Sequence, residues 1–126
     1  MIKAMIKALK VLLVEDDENL SFILHERLTS EGYEIRIAKD AAEGYSTYLR
    51  FRPDLVISDL QLPGENGVEL ISRIRKVSNF NVRTIYMSAD LDWLESEIEK
   101  EKDRPEVNVL AKPFSAGELM ELITAH

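Results

Sequence analysis

The sequence predicts an α/β fold in which a five-stranded parallel sheet carries helices on both faces. Three observations lead there. Five short apolar runs rich in β-branched residues recur along the chain, their starts 22, 22, 28 and 24 residues apart. Each interval, and the segment after the last run, holds one stretch with helical apolar spacing. A charged or hydroxyl residue follows each of the five runs directly. Strands alternating with helices at this period imply right-handed βαβ units, and therefore a parallel sheet buried on both sides.

Each element has its own justification. The strand runs are Val11–Val14, Tyr33–Ala38, Leu55–Ser58, Arg83–Met87 and Val107–Ala111. Between the first two, Leu20, Ile23, Leu24 and Leu28 form a helical stripe. Gly32 stands where that helix must end in a left-handed turn. Asp40 and Glu43 read as a capping box ahead of the second stripe, Ala41, Ala42, Tyr45, Tyr48 and Leu49. Asn66 is placed to cap the third helix, whose stripe is Val68, Ile71 and Ile74. Leu91, Leu94 and Ile98 mark the fourth helix. Pro105 is expected to stop it, because proline lacks an N–H and crowds the preceding turn. Ser115 and Glu118 read as a second capping box, opening a last helix striped by Leu119, Leu122 and Ile123.

The whole chain has 126 residues, room for one core. Residues 1–8 read as a short lead-in and residues 9–126 as a single domain. Apolar residues make up 45% and charged residues 31%, a globular balance that argues against disorder. The net charge of −7 disfavours a nucleic-acid footprint. The absence of cysteine excludes disulfides, thiolate metal sites and thiol catalysis. The longest apolar run, Val11–Val14, falls far short of the ~20 residues a bilayer helix needs. Glu15, Asp16, Asp17 and Glu18 follow it at once, so no export signal is expected. A cytoplasmic protein without membrane contact is the expectation. Between Asp90 and Glu106 lie 8 acids and 3 bases, readable as a solvated helix face or as a docking surface. His25 reads as a surface or boundary residue, His126 as the chain end, and neither as a site. Trp93 reads as partly buried packing near the start of the fourth helix.

The chemistry sits where strands end. Glu15 and Asp16 follow the first strand, Asp59 the third, Ser88 the fourth and Lys112 the fifth. In an open parallel sheet, ligands bind beyond the carboxyl ends of the strands, near the reversal of strand order. Residues from 15 to 112 therefore converge on one patch. Three clustered carboxylates repel one another, so a pKa should rise, the loops should splay, or a cation should enter. Magnesium (or manganese) suits oxygen ligands of this kind. The acidic run alone has a duller explanation, an acidic first turn favoured by the helix dipole. An aspartate with its charge neutralised can attack phosphorus to give an acyl phosphate. Lys112 then offers positive charge to the phosphoryl oxygens, and the Ser88 hydroxyl offers a hydrogen bond.

Four blocks carry a resemblance: VLLVEDD at 11–17, DLQLPGENG at 59–67, MSAD at 87–90 and AKPF at 111–114. In this order and at these intervals they resemble the receiver domain of bacterial response regulators, from about Leu9 to the last helix. The resemblance implies a flavodoxin-like, doubly wound sheet of order 2-1-3-4-5 with five helices. It implies Asp59 as phosphoacceptor, fed by a sensor histidine kinase or a histidine phosphotransfer protein. Glu15 and Asp16 match the family's acidic pair, with Asp16 the more direct metal ligand. Asp59 and the backbone carbonyl of Gln61 complete the metal set. Ser88 matches the switch hydroxyl and Lys112 the family lysine, with a cis bond to Pro113. The chain is then a signalling acceptor and not an enzyme, monomeric or dimerising on phosphorylation. Its output surface is the fourth helix, fifth strand and fifth helix.

Two departures from the family fall on that output side. Val109 stands three residues before the lysine, where typical members carry Tyr or Phe. The charged segment 99–106 replaces the usual Gly-Ala lead into the last strand. Three other readings compete. A phosphorylation-independent binding module on the same fold finds its best support in Val109. An aspartyl-phosphate hydrolase needs a second acid two residues after the nucleophile, where this chain has Gln61. A dinucleotide-binding domain is disfavoured because the first turn lacks glycines.

Overall fold

The computed structural model describes residues 8–79 and 81–125. The elements run β1 Lys10–Val14, α1 Glu18–Ser30, β2 Glu34–Ala38, α2 Ala41–Phe51 and β3 Leu55–Asp59. They continue α3 Gly67–Val77, β4 Arg83–Ser88, α4 Leu91–Lys100, β5 Val107–Ala111 and α5 Ala116–Thr124. The five strands form one parallel sheet in the order β2-β1-β3-β4-β5, as the family resemblance implied. Residues 1–7 of the expected lead-in, and His126, lie outside the described residues.

The period of two along each strand sorts the core into two layers. Val11 and Leu13 of β1, Leu55 and Ile57 of β3, and Ile85 and Met87 of β4 meet Leu24, Leu28, Leu119 and Ile123 of α1 and α5. Leu12, Val14, Val56 and Tyr86 point the other way, onto Tyr48, Leu70, Ile71, Ile74 and Leu94 of α2, α3 and α4. Every residue of β3 is buried. That strand cannot shift by one residue without exchanging its two apolar sets, so its register is strongly specified.

The sheet order reverses at β1, which pairs with β2 on one side and β3 on the other. A crevice must open there, beyond Val14 and Asp59. The helix starts around it are chemically capped. Asp17 accepts from the amides of Asn19 and Leu20, and Asn66 forms a full capping box with Glu69. Ser115 and Glu118 form the expected box. Asp40 caps α2, but the reciprocal bond differs from expectation: the Glu43 carboxylate accepts from the Lys39 amide at 3.3 Å. Gly32 has φ of 91°, the left-handed turn expected after α1.

Other expectations are corrected. Pro105 does not end α4, which stops at Lys100 with Glu101 as its cap. Glu101 is held there by Arg75 of α3 and by Arg104, and turns fill the gap to β5. Ile23, Leu49, Leu91 and Ile98 belong to the expected apolar stripes yet face solvent. Ala42 is exposed too. Ser21 takes the inward position of α1 beside Leu24 and Leu28, which turns Ile23 outward.

Candidate functional site

The expected convergence is found at the carboxyl edge of the sheet. Glu15 follows β1 and is buried, its amide bonded to the Ala38 carbonyl at 3.0 Å. Asp16, next in the chain, is exposed. The four-acid run thus divides: Glu15 and Asp16 belong to the site, Asp17 caps α1, and Glu18 occupies its first turn. Asp59 closes β3 at 6% exposure. Oxygen atoms of Glu15, Asp16 and Asp59 all lie within 4.8 Å of one another.

Lys112 holds this cluster together. Its ammonium donates to Glu15 Oε1 and to Asp59 Oδ2, each at 2.7 Å. The lysine is positioned by its own backbone, since its amide donates to the Ser88 carbonyl at 2.9 Å; the Lys112–Pro113 bond is cis. The other Asp59 oxygen, Oδ1, accepts from the Gln61 amide at 3.0 Å. Gln61 therefore reaches the site through its main chain, while the residue itself is exposed. Ser88 is buried at the end of β4, and its Oγ accepts from the Asp90 amide at 2.9 Å.

The electrostatics follow from burial. Loss of water raises the Glu15 carboxyl above its ordinary value. Hydrogen bonds from Lys112 and the Asp17 amide oppose the rise, and the charge of Asp59 adds to it. The expectation that a carboxylate would be raised is met at Glu15, chiefly by desolvation and only secondarily by its neighbour's charge. Burial alone lowers the Lys112 ammonium, but its bonds to Asp59 and Glu15 outweigh this and raise it. The donor set fits a hard divalent cation: three carboxylates in reach of one ion, one of them reluctant to carry charge without a counter-charge.

Some features of the site were not read from the sequence. Gly67 begins α3 with its amide bonded to the Leu60 carbonyl at 2.9 Å. A Cβ there would sit inside the van der Waals envelope of the Asp59 carbonyl oxygen. Gly67 thus lets α3 pack against β3, and a glycine eight residues after the aspartate was the available signal. An open cleft of about 760 Å³ borders Glu15 and Asp16. Its walls include Phe22, Ile37 and Pro63, and Phe22 is 65% exposed. His25 lines this cleft as a half-buried residue.

Comparison with known proteins finds similarity along nearly the whole chain. The family model for the response regulator receiver domain matches residues 11–124. Sporulation initiation phosphotransferase F of Bacillus subtilis is 32% identical over 116 residues, covering 90% of each chain. The transcriptional regulatory protein YrkP of the same organism is 36% identical over 119 residues, and the chain spans 49% of its length. Among solved structures, a CheY-like response regulator receiver domain protein of Methanospirillum hungatei aligns with a TM-score of 0.83 at 25% identity, covering 94% of this chain and 93% of that one. The chemotaxis protein CheY4 of Vibrio cholerae aligns with a TM-score of 0.84 at 23% identity, covering 94% and 98%.

Proposed function

Because the chain belongs to the response regulator receiver domain family, we propose that it is a cytoplasmic signalling module that accepts a phosphoryl group on Asp59. The observation that carries this reading is the pairing of a buried strand-end carboxylate with Lys112 Nζ at 2.7 Å, beside two further carboxylates. The donor is a phosphohistidine, on a sensor histidine kinase or a histidine phosphotransfer protein. One Asp59 carboxylate oxygen forms the bond to phosphorus. The P–N bond breaks, and its electron pair leaves with the imidazole nitrogen.

This chain's own groups do the rest. The Lys112 ammonium, which bridges Glu15 and Asp59 before the reaction, turns its charge to the incoming phosphoryl oxygens. Glu15, Asp16, Asp59 and the Gln61 carbonyl would hold a magnesium or manganese ion. Bound there, the ion would supply neutralising charge to the carboxylates and the phosphoryl group. The exposed Phe22, with Ile37 and Pro63, gives the cleft an apolar lip suited to the apolar face of a donor helix. Ser88 lies one strand from Asp59 in the sheet, and its hydroxyl can donate to a phosphoryl oxygen there. Turning toward that oxygen draws Oγ away from the Asp90 amide, which loosens the start of α4 and alters the α4–β5–α5 surface.

The test is intact-mass spectrometry after incubation with acetyl phosphate. One added phosphoryl group, dependent on magnesium and missing in Asp59→Asn, is the expected result. No uptake from acetyl phosphate or from phosphorylated phosphotransfer proteins overturns the reading. It would favour a binding module that works without phosphorylation.

A further inference from the structure

Behind the site, β4 and α4 enclose a second polar cluster that the phosphoryl chemistry leaves unused. Tyr86 is fully buried in the layer beneath α2, α3 and α4, and its hydroxyl has no hydrogen-bond partner among the described residues. Glu97 is 2% exposed on the inward side of α4, one turn from Leu94, which packs in the same layer as Tyr86. Its Oε2 is likewise without a partner among the described residues, and its Oε1 meets Lys100 Nζ at 3.5 Å. Burial raises the Tyr86 phenol above its ordinary value. The charges of Glu101 and Glu97 add to the rise, and those of Arg75 and Arg104 oppose it.

Buried polar groups in native proteins almost always find partners. Two orphans of complementary type on adjacent elements, a phenol that donates and a carboxylate that accepts, describe a contact not yet made. The ends of α4 differ in how they are held. Its C-terminal end is fixed to α3 by the forked pair of Arg75 and Glu101, two contacts of 3.2 Å, and by Arg104 at 3.1 Å from Glu101. Its N-terminal end hangs on Asp90, whose side chain caps the helix and whose amide rests on Ser88. Tyr86 also lies opposite Val109 in the β4–β5 register, beside the position where the family carries its aromatic residue.

We propose that Tyr86 is a positioning residue that couples Asp59 to α4. When Ser88 turns to the phosphoryl group, α4 pivots about its Arg75–Glu101 anchor and the Tyr86 hydroxyl donates to the Glu97 carboxylate. The aromatic element of the switch thus stands on β4 in this chain and not on β5. The inference rests on the reading of Asp59 as the phosphoacceptor.

The experiment uses the full chain with acetyl phosphate and magnesium. Phosphoryl uptake is followed by intact mass, Trp93 fluorescence reports on α4, and the labelled Tyr86 ring is followed by carbon NMR. In the wild type, phosphorylation is expected to change the Trp93 signal and to shift the Tyr86 Cζ resonance. Tyr86→Phe should take up phosphate within twofold of the wild-type rate yet lose at least four-fifths of the Trp93 response. Glu97→Leu should behave the same way. Glu97→Gln, whose amide oxygen still accepts, should keep most of the response. An equal Trp93 response in Tyr86→Phe and Glu97→Leu at equal phosphorylation overturns the proposal. If the variants fail to fold, an unmoved Tyr86 resonance in phosphorylated wild type overturns it equally. A wild type that takes up no phosphate overturns the acceptor reading itself, and the inference with it.

Discussion

The Asp59 corner and the layer beneath α4 are built to opposite rules. At the Asp59 corner the key charges are paired: Lys112 reaches both buried carboxylates at 2.7 Å and the Gln61 amide occupies the remaining Asp59 oxygen. Behind it, under α4, the Tyr86 hydroxyl and one Glu97 oxygen are buried without partners among the described residues. The first arrangement is pre-organised, with geometry fixed before any ligand arrives. The second leaves hydrogen-bonding capacity unspent, which is what an element with a second resting position requires. Fixed chemistry on β1, β3 and β5 beside an adjustable helix on β4 is a workable division for a switch.

Substitutions test that contrast, beginning with the largest effect. Lys112→Ala removes the only cation that, among the described residues, is bonded to the buried pair Glu15 and Asp59. It should destabilise the protein by about 3 kcal/mol in the absence of divalent cations, because stranded buried charges are costly. Urea melts check this, and added magnesium should recover part of the loss. Gly67→Ala should cost about 2 kcal/mol. Crowding against the Asp59 carbonyl oxygen outweighs the smaller gain from a stiffer unfolded chain. The same melts, at unchanged slope, measure it.

Under α4 the sign reverses. Glu97→Met should stabilise the unphosphorylated protein by about 1 kcal/mol, since it removes a buried oxygen that has no partner. A rise in Tm supports the contrast, and a fall shows that Glu97 is satisfied in solution. The smallest effect is in pH. The Lys112 ammonium is raised above its ordinary value of 10.5 in the folded protein. Its contribution is therefore complete below that pH and lost as pH climbs through the raised value. The stability gap between wild type and Lys112→Gln should be level from about pH 7 to 9 and narrow above about pH 10.5.

These particulars also show what was legible in the sequence. Glu15, Asp59, Ser88 and Lys112 were legible as strand-end residues because local composition sets where the strands stop; Glu15 and Lys112 directly follow β1 and β5, and Asp59 and Ser88 are the last residues of β3 and β4. A parallel sheet then leaves one edge for all of them. Helix faces were less legible. Ile23 and Leu91 fit helical spacing, yet neighbours at Ser21 and Leu94 take the inward direction, and spacing alone does not fix the stripe's centre. The end of α4 was misplaced at Pro105 because its true stop depends on Arg75, 26 residues earlier, gripping Glu101. The burial of Glu97 was illegible as well, since in sequence it is one acid among eight between Asp90 and Glu106. Gly67 was visible as a residue, but its purpose, close approach to β3, exists only in three dimensions.

The most direct test of the account is to locate the phosphoryl group chemically. An acyl phosphate is reduced by borohydride, which converts the modified aspartate to homoserine and marks its position in a peptide mass map. The account requires homoserine at residue 59 after treatment with acetyl phosphate and magnesium, and none in Asp59→Asn. Homoserine at Asp16, or an unmodified map from protein incubated under the same conditions, would contradict it.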